Sequence, residues 1–104
     1  MPFNRDDIAV TTNKATQVTG TSAILHGRLD DDGHWRDNPD FQDEFGNPIL
    51  TNFFCWFDWG TTTSYGNNTP DIYGKITGDY FSATITGLTP STVYHFRACA
   101  DVGR

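Results

Sequence analysis

The first residues with an evident chemistry are acidic. Seven of the thirteen carboxylates fall between positions 30 and 44: Asp30, Asp31, Asp32, Asp37, Asp40, Asp43 and Glu44. Ca²⁺ binds six to eight oxygen ligands, and carboxylates supply them most often. The spacing departs from the calcium loop of an EF-hand after Asp32. Two interpretations stay open, a calcium site at Asp30, Asp31 and Asp32 or a solvated acidic turn.

A second candidate is a group of aromatic residues with an arginine. In the segment Phe53–Gly60, which reads FFCWFDWG, Phe54 and Trp56 share the face opposite to Phe57. We expect this face to lie outside the fold, beside His95 and Arg97 of a later segment. Exposed aromatic side chains with arginine are typical of protein interfaces.

The same aromatic residues also suit a sugar ligand, because sugar rings stack on tryptophan. On that interpretation Trp56 acts with Trp35 and the acidic turn as a module for carbohydrate or Ca²⁺. The alternative is that Trp35, Phe41 or Phe45 folds over Phe54 and Trp56, since a large bare apolar patch is rare in a monomer.

Nothing in the residue order indicates catalysis. The three histidines, His26, His34 and His95, fall in separate segments. No Ser-His-Asp or Cys-His order, H-E-x-x-H, C-x-x-C or glycine-rich phosphate loop is present. We therefore expect no enzyme, and no cofactor beyond the possible Ca²⁺.

Charge and hydropathy exclude further classes of partner. Seven Lys and Arg against thirteen Asp and Glu give a net charge of −6, with no basic stripe for nucleic acid. No apolar run is long enough to span a bilayer, and the N-terminal residues lack the apolar core of a signal peptide. We expect no membrane insertion.

Period-two alternation of apolar and polar residues predicts an all-β chain. Strands are expected over residues 8–18, 21–29, 53–60, 80–86 and 94–100, with a weak strand in 71–79. Residues 30–52 form a long loop, because the alternation stops there. Strand parity places Cys55 inward and Cys99 outward, which predicts two free thiols, since side chains on opposite faces cannot meet in disulfide geometry.

Two segments carry a resemblance to a known family. Residues 80–100 contain two alternating strands around a Gly-Leu-Thr-Pro-Ser turn, with Tyr94 just inside the second strand. Residues 56–66, WFDWGTTTSYG, are similar to a corner common in microbial surface repeats. Together they resemble a fibronectin type III-like domain, in which the corner tyrosine bonds back to the backbone. The resemblance implies one domain, residues 1–104, folded as an antiparallel two-sheet sandwich of the immunoglobulin-like kind.

The resemblance also has two departures. Many family members carry a core tryptophan where this chain has Gly27, so we expect aromatic residues of the facing sheet to fill that space. The family continues past its sixth strand, lettered F, into a strand G of about ten residues, whereas only four residues follow Ala100 here. Strand F is therefore expected to present an open edge, which is a template for another chain.

These features predict a non-enzymatic structural or adhesive module at a cell or virion surface. The sharper hypothesis is a subunit of an extracellular filament or virion-type assembly, in which an N-terminal arm over residues 1–10 pairs with strand F of a neighbour. The alternatives are one repeat cut from a multidomain surface protein, whose following residues supply strand G, and the carbohydrate- or Ca²⁺-binding module.

Overall fold

The computed structural model describes residues 7–102. Within this range the chain forms seven strands: β1 (Ile8–Thr16), β2 (Ala23–Asp32), β3 (Phe53–Gly60), β4 (Asn67–Asn68), β5 (Ile72–Tyr73), β6 (Tyr80–Ile85) and β7 (His95–Val102). Short 3-10 turns occupy Trp35–Asp37, Pro39–Phe41 and Leu50–Asn52. Among the described residues, no helix has the length and apolar character needed to cross a membrane.

The strands form two antiparallel sheets that pack face to face. One sheet has the order β1-β2-β6. In the other, β7 pairs with all eight residues of β3, so the short strands β4 and β5 occupy the opposite edge of β3. The prediction of an all-β, two-sheet sandwich is confirmed.

Alternation along the strands builds the core. In β2, Leu25 and Leu29 point inward and are completely buried, as are Phe53, Cys55 and Phe57 of β3. The inward and outward faces follow the predicted parity, because residues two apart on a strand share a face.

Gly27 lies at a point of close packing between the two sheets. A Cβ atom there would lie 2.9 Å from the Ala98 Cβ and 3.0 Å from the Phe81 ring. Ala98 belongs to the facing sheet, but Phe81 belongs to β6, the neighbouring strand of the same sheet. The expectation that facing aromatic residues fill this space is therefore only partly right. The Phe81 ring does meet the facing sheet through Phe57, with ring centroids 5.1 Å apart.

The predicted boundary between the second strand and the long loop is wrong. β2 continues through Asp32, because Ile8 and Ala9 of β1 pair with Asp32 and Asp31. The loop is therefore residues 33–52. The same pairing corrects the idea of a spare arm over residues 1–10, since Ile8, Ala9 and Val10 belong to β1. The rest of that arm, apart from Asp7, lies outside the described residues.

The outer edge of β7 carries no ladder. Among residues 7–102, β7 pairs only with β3. At mid-strand, the backbone N–H of Ala98 donates to Oγ1 of Thr12, 2.8 Å away. β1 therefore lies beside this edge without pairing with it, and the Thr12 hydroxyl occupies the outward position of the Ala98 N–H.

The turn between β6 and β7 contains the expected tyrosine contact. The backbone N–H of Thr89 donates to the Tyr94 hydroxyl at 2.8 Å. This bond ties the start of β7 to the preceding turn. The position of the hydroxyl was predicted from the sequence, whereas kinship with fibronectin type III remains a resemblance.

Gly60, at the end of β3, provides a test of this architecture. A Cβ atom at Gly60 would lie 1.7 Å from the carbonyl oxygen of Tyr65. We expect Gly60→Ala to lower the free energy of unfolding by about 3 kcal/mol, because backbone has to move. Gly20→Ala is the matched control, since its Cβ would meet only Pro90 at 3.5 Å. Urea unfolding of both variants measures the difference, and equal stabilities would contradict the tight corner.

Candidate functional site

The three consecutive aspartates do not converge on one point. Asp30 is held by Arg28 at 2.8 Å and by the Thr11 hydroxyl. Asp31 Oδ1 accepts from the backbone N–H of Gly33 at 2.8 Å. A bulge in the pairing of β1 with β2 falls at Asp30, so the regular alternation of side chains is interrupted between Asp30 and Asp31.

Asp32 has a structural role at the end of β2. Its Oδ1 accepts from the N–H of His34 at 2.8 Å, and its Oδ2 accepts from the N–H of Thr77 at 3.2 Å. In the described part of the chain, no three His, Cys, Asp or Glu side chains are grouped to hold a metal ion. The predicted donor set Asp30, Asp31 and Asp32 is therefore wrong as a shared calcium site.

Trp35 belongs to the core and not to the outer face. Its side chain is completely buried. The ring stacks on Phe53, with centroids 5.5 Å apart and planes 2° apart, and its Nε1–H donates to the carbonyl of Lys75. The prediction that Trp35 is a binding residue is wrong, because the turn after β2 places the Trp35 ring inside the core at the end of the sandwich.

The outer face of β3 is partly covered. Phe54 is only 4% exposed. Its ring meets Tyr73 of β5 edge-on at 6.0 Å and Trp56 at 5.7 Å. Cover of Phe54 was one of the two expected alternatives. Tyr73 of β5, which was not expected, supplies part of it, whereas Trp35 is in the core and Phe45 of the loop is 80% exposed. Trp56 remains half-buried at the surface.

The register between β3 and β7 changes the predicted neighbours. Trp56 lies opposite Cys99, and Asp58 lies opposite Arg97. His95 is opposite Gly60, at the end of the strand pair. Trp56 and Arg97 thus belong to one cluster, but they meet through Asp58, while His95 lies apart from Trp56.

Asp58 is the centre of this outer cluster. Its Oδ1 accepts from the Trp56 indole N–H at 2.9 Å and from the Asn68 amide. Its Oδ2 accepts from Arg97 Nε at 3.0 Å and lies 2.9 Å from the second guanidinium nitrogen. The Cys99 thiol also donates to Oδ2, at 3.5 Å. One buried carboxylate therefore orients side chains from β3, β4 and β7.

Electrostatics keep this carboxylate charged. Burial alone raises the pKa of a carboxyl group, but the hydrogen bonds that converge on Asp58 hold its pKa below the ordinary value. The paired Arg97 also lies over the Tyr65 ring, 4.6 Å from its centroid, which is within cation–π range. The cluster presents a fixed guanidinium and two aromatic rings at the surface.

Sequence reasoning missed Asp58, Asn68 and Tyr65 as members of the site. A signal for Asp58 was available, because it is a lone charge in an apolar strand with the same parity as Trp56. Such a charge needs partners. Asn68 and Tyr65 carried no signal, since the corner over residues 61–66 brings them to the cluster.

Both cysteines are free, as predicted. Burial raises the pKa of Cys55 to about 12 and that of Cys99 to about 11. Both thiols are therefore protonated at neutral pH, and neither has the thiolate character of a nucleophile.

An apolar cavity of about 190 Å³ lies beside the first residues of β7, and Val102 is at the opposite end of that strand. It lies between the β1–β2 turn and the β6–β7 turn, with the sheets on either side. The apolar residues that line it are Ala15, Val18, Ala23, Leu25, Trp59, Ile85, Leu88 and Phe96. The predicted site residue His95 also lines it.

Comparison with known proteins shows similarity of fold. No family model and no curated protein matches the chain. A short form of the sensor domain of the anti-sigma factor RsgI4 in Pseudobacteroides cellulosolvens is 20% identical, with TM-score 0.61, over 90% of this chain and 82% of that one. The solution structure of that sensor domain is 21% identical, with TM-score 0.60, over 90% and 65% of the two chains. At this identity the similarity shows a shared fold.

The role assigned to Asp58 gives a pH-dependent prediction. We expect Asp58→Asn to lower the free energy of unfolding by about 2 kcal/mol at pH 7, because the amide loses charge-assisted hydrogen bonds. The folded pKa of Asp58 is lowered. Its stabilisation is therefore present above the unfolded pKa, about 3.9, and is lost as pH falls through the folded pKa.

Urea unfolding at several pH values from 7 down to 2 measures this effect. The gap between wild type and Asp58→Asn should narrow in the acid range. Asp40→Asn changes an exposed carboxylate and serves as the control, with no stability change expected. A gap that stays constant at every pH would contradict a charged Asp58 at the centre of the cluster.

Proposed function

We propose that the protein is a non-enzymatic surface module that acts through contacts with other protein chains, and that the outer edge of β7 pairs with a β-strand of a neighbouring copy. The observation that carries the proposal is that, within residues 7–102, β7 has a ladder on one edge only. More specifically, the module is a subunit of an extracellular filament or virion-type assembly. The shared fold with a sensor domain supports a recognition role.

The orientation of the backbone supports strand pairing. The N–H of Ala98 points to the outer edge, since it donates to Thr12. Backbone groups of residues two apart point to the same edge of a strand, so Phe96 and Ala100 direct theirs there too. An added strand gains main-chain hydrogen bonds at Phe96 and Ala100, and at Ala98 it has to displace the Thr12 hydroxyl.

Proline at Ala100 tests the pairing. Proline has no N–H and is tolerated in an edge strand where that group faces away from the ladder. We expect Ala100→Pro to fold with the wild-type near-ultraviolet spectrum and to lose self-association in sedimentation velocity. Ala100→Ser keeps the N–H and serves as the matched control, with association unchanged.

Two results would overturn this proposal. One is equal association of the proline and serine variants. The other is a wild-type chain that stays monomeric at every concentration reached, which is the result expected of one repeat from a multidomain surface protein.

The outer cluster supports a second candidate function, carbohydrate recognition. The observation that favours it is the fixed arrangement of Trp56, Asp58 and Arg97, with Tyr65 beside them. Aromatic rings and charged hydrogen-bonding groups held on one rigid sheet form a preorganised polar and aromatic surface. Sugar rings offer both hydroxyl groups and an apolar face to it.

A glycan panel tests this second candidate. We expect a binding glycan to raise the melting temperature of the wild type. The shift should be lost in Trp56→Ala and kept in Tyr80→Ala, which removes an exposed aromatic ring from the other sheet. A panel in which no glycan shifts the wild type would contradict carbohydrate recognition.

A further inference from the structure

The apolar cavity lies beside the open edge of β7. Phe96 belongs to both features, since its backbone faces the outer edge and its side chain lines the cavity. On the far side, Ala15 and Val18 at the end of β1 form the opposite wall. A strand placed along β7 would therefore run over the mouth of the cavity.

The cavity has the size and character for one aromatic ring. Cavities of about 150 Å³ lined by aliphatic and aromatic side chains bind benzene. This cavity measures about 190 Å³. The nearby Tyr94 hydroxyl already accepts from Thr89. Thr19, Ser91, Thr92 and His95 also line the cavity, but apolar residues predominate, so the surroundings favour a hydrocarbon side chain over a polar one.

Strand geometry directs a side chain of the incoming strand into this space. Side chains alternate between the two faces of a strand, and a paired strand follows the same pleat. Phe96 and Ala98 face the core side of β7. Every second residue of a strand paired beyond them would face that side too, so one such side chain would be aimed at the cavity.

Phe3 is the residue of this chain that suits the cavity. It precedes β1, in the segment Met1-Pro2-Phe3, and lies outside the described residues. The other aromatic candidate, Phe45, lies in a closed turn. The Phe45 N–H donates to the Asp43 side chain, and the Asp43 N–H donates to the Asn47 carbonyl. The backbone of that turn is not extended and therefore cannot pair with β7. A segment that contains Pro2 and Phe3 can do so, because proline is tolerated in an edge strand.

Phe3 cannot reach the cavity of its own chain. Five residues separate it from Ile8, which allows at most about 18 Å. Ile8 and Ala15 lie at opposite ends of β1, seven residues or about 23 Å apart. The cavity adjoins Ala15. An occupant from residues 1–7 therefore has to come from a second copy.

We propose that Phe3 of one copy inserts its ring into the cavity between the β1–β2 and β6–β7 turns of a second copy, while its backbone pairs with β7. This inference rests on the proposed strand pairing and names the segment that supplies the strand. The cavity then acts as the specificity pocket of the assembly, since main-chain pairing alone does not select a sequence.

The experiment compares two Phe→Ala variants by sedimentation velocity. Phe3→Ala should weaken self-association about tenfold or more, because a buried aromatic ring is lost. Phe45→Ala, which removes an exposed ring, should associate as the wild type. Equal association of the two variants would overturn the inference.

A cavity-filling variant and a peptide separate this inference from the proposed function. Ala15→Leu should fold, with a melting temperature at or above that of the wild type, and should weaken association as Phe3→Ala does. If Ala100→Pro abolishes association while Phe3→Ala and Ala15→Leu leave it intact, strand pairing stands and the Phe3 pocket is wrong.

The peptide MPFNRDD provides a readout that does not depend on self-association. Added to the wild-type protein, it should shift the NMR signals of Trp59 and Phe96, and the same peptide with alanine in place of phenylalanine should not. Identical behaviour of the two peptides would also overturn the inference.

Discussion

The fold depends on burial of β3 on both of its faces. Phe53, Cys55 and Phe57 are completely buried on the inner side, and each large apolar side chain contributes about 1.5–3 kcal/mol. On the outer side, Phe54 is covered by Tyr73. β3 is also central in its sheet, with β7 along one edge and the two short strands β4 and β5 along the other.

A buried carboxylate in such a strand imposes order on its surroundings. Asp58 has little water to solvate it, so its oxygens need hydrogen-bond donors from the protein. Trp56, Asn68 and Arg97 supply these donors from three strands. The outer cluster is thus a consequence of placing one charge in an apolar strand.

The open edge and the apolar cavity are two parts of one unfinished region. The edge offers backbone groups at Phe96 and Ala100, and the cavity offers apolar walls at the same end. A single extended segment with one aromatic side chain satisfies both. This complementarity, and not any catalytic group, is the feature on which the proposed assembly rests. The sensor domain of the anti-sigma factor RsgI4 shares this fold.

The sequence alone determined the features that depend on local alternation. It predicted the bounds of β3, the inward position of Cys55 and the two free thiols. These follow from the two-residue period of a strand, which is a property of neighbouring residues. The resemblance to a known sandwich added the two-sheet arrangement and the hydroxyl contact of Tyr94.

Only the tertiary structure decided the features that depend on long-range contacts. Pairing with Ile8 and Ala9 drew Asp31 and Asp32 into β2, and the stack on Phe53 carried Trp35 into the core. The β3–β7 register set Asp58 opposite Arg97. The register of strand pairing and the burial of a strand's outer face depend on residues that are distant in sequence, so local patterns do not encode them. The cavity exists for the same reason, because five separate strands and two turns enclose it.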